Sequence, residues 1–206
     1  MPNQRLFPFP PMHHLLPREI PPAAGLLARA FFSDPLFSHF FPDPAARLGQ
    51  LEALFAFRLR NALEDAYAPS PALAGLALWE LPRGHAGRLN PAALARAVAM
   101  AARAGWQPLR RMIRFQRWSL ALRATLIRDP YAYLDTLAVA PAFQRQGFAR
   151  QLLAPLLKIA DDLGVPVYLE TQNRRNIDIY THFGFAVVHR TRLPESTVEH
   201  YCLLKR

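Results

Sequence analysis

The sequence predicts an α/β fold. Three observations carry that reading. A strand, turn, helix and strand follow one another over residues 131–171, apolar residues recur at helical spacing over 44–62 and 108–128, and residues 73–81 read as a further strand.

Taken in order, residues 1–22 hold Pro8, Pro10, Pro11, Pro17, Pro21 and Pro22 and are predicted to be extended or partly disordered. Residues 23–206 then form one domain. Residues 23–32 carry apolar side chains at helical spacing, and Asp34-Pro35 and Asp43-Pro44 each read as an N-cap followed by proline at the first helical position. This predicts a short second helix and a third running from Pro44 to about Ala62, with Leu48, Leu51, Phe55, Leu59 and Leu63 on or near one face. Residues 73–81 form a strand that Pro82 ends, and Gly75 thins its packing. A Gly-containing loop over 83–90 leads to a helix starting at Asn90-Pro91 and stopped by Gly105. Residues 108–128 are a basic helix or helix pair, with arginines 110, 111, 114, 117, 123 and 128 set among apolar residues; the reading is a docked helix with a solvated charged face, against the alternative of a membrane-surface or nucleic-acid helix.

Residues 131–139 are rich in aromatic, β-branched and apolar side chains, and Pro141 closes the run because it cannot donate to a ladder. Next comes Gln144-Arg145-Gln146-Gly147-Phe148-Ala149, where Gly147 and Ala149 let a ligand approach the backbone. The helix opening there has free N–H groups at its start, which suits an anion, and Arg145 and Arg150 add positive charge. Its apolar stripe is Ala149, Leu152, Leu153, Leu156, Leu157, Ala160 and Leu163; Pro155 predicts a bend and Gly164 a stop. Residues 165–171 alternate as a strand, which makes a parallel β-α-β unit. Residues 185–192 and 198–204 give two more strands.

Gln144-x-x-Gly147-x-Ala149 after a strand, Asn176-x-x-x-Tyr180 and Gly184-Phe185 together resemble the GCN5-related N-acetyltransferase (GNAT) superfamily. Tyr133-Leu134, Val139-x-Pro141, residues 168–171, Arg175-Asn176 and Trp79-Glu80-Leu81-Pro82 look most like its puromycin N-acetyltransferase-type subgroup. The dense match covers about a quarter of the chain. The resemblance implies a mixed, mostly antiparallel sheet with helices on both faces, split in a V between two parallel central strands. It also implies acetyl-CoA as acyl donor and direct transfer to a primary amine. The amine would belong to a small molecule or, alternatively, to a protein or peptide; a non-catalytic coenzyme-binding or nucleic-acid-binding module is a further alternative.

The same resemblance assigns the coenzyme to Leu137, Ala138 and Val139 on the first strand and to Gln144, Arg145, Gln146, Gly147, Phe148, Ala149 and Arg150 in the turn. Asn173 or Asn176 would hold it by an amide, unless either is a helix cap. Tyr180 is the candidate acid for the departing thiolate, against the alternative of an ordinary core tyrosine. For the base, Glu170 and Asp135 stand out as acids in apolar strands; the alternatives are that Glu170 pairs with an arginine and that a bulge turns Asp135 outward. Five phenylalanines lie over residues 31–44, and Phe31, Phe32, His39, Trp79 and Glu80 are candidates for the acceptor site.

Composition bounds the rest. With 206 residues, 51% of them apolar, a single sizeable core is expected. No uncharged apolar run reaches membrane-span length and the start lacks signal-peptide order, which predicts a cytoplasmic protein. Cys202 is the single cysteine, the only His pair is His13-His14, and no metal site is predicted. The net charge of +10 suits a polyanionic coenzyme, and no RNA or DNA module is visible. A monomer or homodimer is expected.

Overall fold

The structure, a computed structural model, describes residues 12–82 and 105–206. Seven strands form one sheet: β1 (His13–His14), β2 (Ala66–Ala68), β3 (Gly75–Glu80), β4 (Ala132–Val139), β5 (Val167–Thr171), β6 (Ala186–Arg192) and β7 (Glu199–Lys205). Their order is β1-β2-β3-β4-β5-β7-β6, and every neighbouring pair is antiparallel except β4 and β5. The helices are α1 (Ile20–Ala30), α2 (Pro35–Phe40), α3 (Pro44–Asn61), α4 (Trp106–Leu126), α5 (Phe148–Leu163) and α6 (Arg175–His182). The loop and helix predicted over 83–104 lie outside the described residues.

Alternation along β3 divides the core between two faces. Leu76 and Leu78 pack with Leu27, Phe41, Leu51, Phe55 and Leu59 of the α1–α3 layer. Ala77 and Trp79 point the other way, onto Leu152, Leu153, Leu156 and Ala160 of α5. Each of those fully buried leucines contributes about 2 kcal/mol relative to exposure. Helices thus cover both faces of a mostly antiparallel sheet, the fold expected from the sequence.

Local signals act as read. Asp34 Oδ1 accepts from the amides of Leu36 at 2.9 Å and Phe37 at 3.4 Å, and Asp43 Oδ1 accepts from Ala45 at 2.9 Å, so both acids cap their helices. Gly164 ends α5 in the left-handed region at φ 65°. Gly75 is required by close approach: a Cβ there would sit 2.7 Å from the Ala138 carbonyl oxygen. Cys202 is fully buried in β7.

Three expectations change. Residues 13–22 do not stay wholly extended: β1 pairs with β2, and the chain turns helical at Ile20, because Pro21 and Pro22 fall in the first turn where no N–H is needed. Leu48 leaves the α3 core face and is exposed, Leu63 lies past the helix end but still packs half-buried on the same core, and Leu54 takes a buried position. Arg123 is not among the solvated arginines of α4 but is buried, stacked over the Tyr133 ring at 3.7 Å.

Candidate active site

The parallel pairing of β4 with β5 covers only Ala132, Leu134 and the tyrosine between them, opposite Val167, Tyr168 and Leu169. Beyond Leu134, residues 135–139 of β4 have no partner on that side, so the two strands diverge. A cavity of about 680 Å³ opens over the divergence. Its lining comes from both strands, from α2, α3 and α4, and from Asn176 and Tyr180 of α6.

A bulge marks the start of the split. Leu78 faces Thr136 and Trp79 faces Leu134, which leaves Asp135 as the extra residue in β4. The bulge aims Asp135 into the cavity wall rather than outward. There its carboxylate is ion-paired with Arg58 of α3 and accepts from the Thr136 hydroxyl at 3.0 Å. Glu170 is the centre of a second network: it accepts from Ser119 Oγ at 2.6 Å, Arg123 Nε at 3.1 Å and Tyr168 Oη at 3.0 Å. Both candidate bases therefore line the cavity, and both are tied to arginines. Glu80 lines the same cavity with no ion-pair partner among the described residues; partial burial first, then Asp135, hold its carboxyl above the usual range.

Tyr180 is buried, with its ring edge-on to Phe185 at 5.7 Å, and it lines the cavity. Burial pushes its phenol well above the ordinary value, so it stays a proton donor at neutral pH. Asn176, one turn earlier on α6, also faces the cavity and donates from Nδ2 to Thr171 Oγ1 at 3.1 Å. Asn173 does not line it: its Oδ1 accepts from the Arg175 amide at 3.1 Å, the capping role.

The turn after β4 is exposed. Gln144 Nε2 donates to the Val139 carbonyl at 3.4 Å, and Gln146 Nε2 to that of Ala142 at 3.0 Å, which closes the loop on itself. Arg145 at φ 62° and Gly147 at φ 84° are both left-handed, and a Cβ at Gly147 would meet nothing within 4 Å. The first amide bonded into the helix is that of Gln151, to Gly147 O at 3.1 Å. Among the described residues, the amides of residues 145–150 have no protein acceptor. An outward-facing cradle of free N–H groups with Arg145 and Arg150 beside it fits a diphosphate. Leu137 contributes to the cavity, whereas Ala138 is buried opposite Leu76. Phe148 packs edge-on to Phe143 at 5.8 Å, and Ala149 opens the helix stripe.

The acceptor-side candidates divide. Phe31 and Glu80 line the cavity, joined by Phe37, Phe40 and Phe57. Phe32 does not; Arg47 covers its ring at 5.3 Å. His39 lies in a separate cavity of about 620 Å³ beside Arg111 and Trp118. Trp79 is in the core, stacked on Tyr67 at 4.2 Å, because the strand alternation turns it toward α5. Sequence reasoning missed Arg58, Ser119 and Arg123. The available signals were a charge at the edge of the apolar α3 face, beside Leu54, Phe55 and Leu59, and a Ser/Arg pair four apart on α4.

Among the described residues, no three His, Cys, Asp or Glu side chains cluster to hold a metal. No helix among them is long and apolar enough to cross a membrane.

The Acetyltransferase (GNAT) family model matches residues 111–185. Over 59 residues the chain is 41% identical to an uncharacterized N-acetyltransferase of Schizosaccharomyces pombe, a match covering 28% of this chain and 24% of that protein's length. A solved structure of histone acetyltransferase HPA2 and related acetyltransferase from Corynebacterium glutamicum aligns with TM-score 0.63 at 19% identity over 96% of each chain. Arylalkylamine N-acetyltransferase 2 from Aedes aegypti aligns with TM-score 0.55 at 13% identity over 95% of this chain and 97% of its own. At such identities the structural likeness is one of fold. The family match falls on the split strands, the free-amide turn and Tyr180, and over those residues the chain is similar to the acetyltransferases of the GNAT family.

Proposed function

We propose that the protein transfers an acetyl group from acetyl-CoA to the primary amine of a small molecule, with both bound at once on the two sides of the β4–β5 split. The observation that carries this reading is the pairing of a free-amide turn at residues 145–150 with a strand edge, 135–139, left unpaired beside a cavity. The donor, when bound, supplies an acyl group activated as a thioester. Gly147 and its neighbours hold the diphosphate through N–H groups, with Arg145 and Arg150 adding charge. The open edge at Leu137 and Val139 binds the extended arm as an added strand would, and a backbone N–H there polarises the carbonyl. Asn176 orients the arm by its side-chain amide. Tyr180 Oη gives its proton to the departing sulfur. The proton lost by the acceptor nitrogen passes to water or to Glu80; Asp135 and Glu170, each held by an arginine, shape and charge the wall.

The acceptor has an apolar body, since Phe31, Phe37, Phe40 and Phe57 line the cavity. An aminonucleoside of the puromycin type is one such molecule, in keeping with the subgroup resemblance of residues 168–171 and 175–180. A cytoplasmic setting accords with use of acetyl-CoA, and the protein acts as a monomer or homodimer.

The test is thermal unfolding with and without acetyl-CoA, followed by thiol release against a panel of amines. A ligand at a hundredfold excess over its Kd adds about 2.7 kcal/mol of stability, a readily seen rise in Tm. No rise with acetyl-CoA removes the coenzyme site; a rise without thiol release for any amine removes the small-molecule acceptor.

A further inference from the structure

The last paired residues of the β4–β5 ladder are Leu134 and Leu169, so Asp135 and Glu170 are the first past it, one on each lip of the split. On the β5 lip, the buried side chain of Glu170 has its donors in place. Its Oε1 takes hydrogen bonds from Arg123 and Tyr168, and its Oε2 takes one from Ser119 Oγ at 2.6 Å, the length of a charge-assisted bond. A carboxylate offers no hydrogen, so the serine is the donor.

Ser119 lines the cavity and is 3% exposed. With its hydrogen spent on Glu170, the oxygen has lone pairs left and nothing to give. It is an acceptor, strengthened by the anion behind it. Thr171, on the same lip, is wired the other way: its Oγ1 already accepts from the Asn173 amide at 3.3 Å and from Asn176 Nδ2 at 3.1 Å. Along α4, Ser119 stands among Met112, Gln116, Leu120 and Arg123 of the cavity wall, at a mid-helix position where alanine would suit the backbone better.

Resting on the reading of this cavity as the acceptor site, we propose that Ser119 Oγ accepts a hydrogen bond from the attacking nitrogen and makes the site one for primary amines. Ser119 holds one N–H, which turns the lone pair toward the acyl carbon. As the C–N bond forms and the C–S bond breaks, the other N–H loses its proton to water or Glu80, the sulfur takes the Tyr180 proton, and the hydrogen on Ser119 stays in the amide. A secondary amine has a single N–H, which cannot be both held and lost.

The experiment measures thiol release by the full chain with acetyl-CoA for 2-phenylethylamine and n-hexylamine, each against its N-methyl derivative, in the parent, Ser119→Ala and Ser119→Cys. Both variants lower kcat/KM for the primary amines about tenfold, the worth of one such bond, and leave the KM for acetyl-CoA unchanged. The preference for primary over N-methyl amine falls toward one. Cysteine decides between bonding and fit, because its sulfur is a weak acceptor yet larger than oxygen, so a preference set by size would grow. A preference unchanged or larger in Ser119→Cys, or a KM for acetyl-CoA that rises as far as that for the amine, overturns the proposal. Calorimetric titration of the same amines into the chain loaded with coenzyme A separates the two readings. Affinity lost in the variants of a parent that releases no thiol leaves the Ser119 contact standing and removes acetyl transfer; turnover with unaltered preference does the reverse. No binding of any of these amines overturns both.

Discussion

Asp135, the residue that the β4 bulge leaves over, is held by the guanidinium of Arg58, 77 positions earlier on α3. This single ion pair ties the helical layer to the strand at the point where the sheet opens. The cavity wall depends on it, since both partners line the cavity.

Removing one partner leaves the other charge largely desolvated. Arg58→Met should destabilise the fold by about 2–3 kcal/mol, measured by urea unfolding. Arg58→Met with Asp135→Asn should cost less than the two single changes added together, because no unpaired charge remains. Strict additivity would show that the pair is not coupled.

Tyr180→Phe removes one hydroxyl and keeps the ring that packs on Phe185. Steady-state kinetics should give kcat lowered roughly a hundredfold or more with the KM for acetyl-CoA nearly unchanged. A variant as active as its parent takes Tyr180 out of the chemistry.

At Gly147 the left-handed backbone, φ 84°, costs an L-residue about 1–2 kcal/mol although a Cβ finds open space there. Gly147→Val should lower stability by that amount and raise the KM for acetyl-CoA much more than it changes kcat, because the side chain stands where the ligand meets the amides. An unchanged KM would detach the turn from coenzyme binding.

Stability should depend on pH through two groups of opposite sign, one buried and one half-buried. His200 is fully buried, with Gln172 on Nδ1 at 2.7 Å and Glu170 at 3.7 Å from Nε2. Burial holds it at about 4 against its ordinary 6.5, so the unfolded chain binds the extra proton between those values. Its contribution is whole above 6.5 and lost as pH falls toward 4. Asp34, raised to about 6 from 3.8, works the other way: the folded chain binds the extra proton, and stability falls as pH rises across that interval. Urea midpoints across about pH 4 to 7 should therefore show a shallower acid loss in His200→Gln and a steeper one in Asp34→Asn. Parallel curves for the parent and both variants would contradict both assignments.

Strand, turn and helix around residues 131–185 were legible because their causes lie within a few residues: Pro141 after β4, Gly147 and Gly164 at the ends of α5, Asp34 and Asp43 at helix starts. The open choice between Asn173 and Asn176 was not legible, since it turns on which amide the α6 start uses as a cap. Trp79 and His39 were read into the acceptor wall from a subgroup resemblance and from the neighbouring phenylalanines, and the sheet's alternation and the far side of α4 took them elsewhere.

Residue order sufficed for the architecture, for the free amides at Gly147 and for a phenol at position 180, because backbone preference and apolar periodicity are short-range. Which acids share the cavity, and which of them are neutralised, was decided only on folding. The contacts that decide it join residues 47 and 77 positions apart, Arg123 to Glu170 and Arg58 to Asp135, and a strand bulge whose existence depends on the partner strand. Charge acts through space, and only the packed chain sets the spacing.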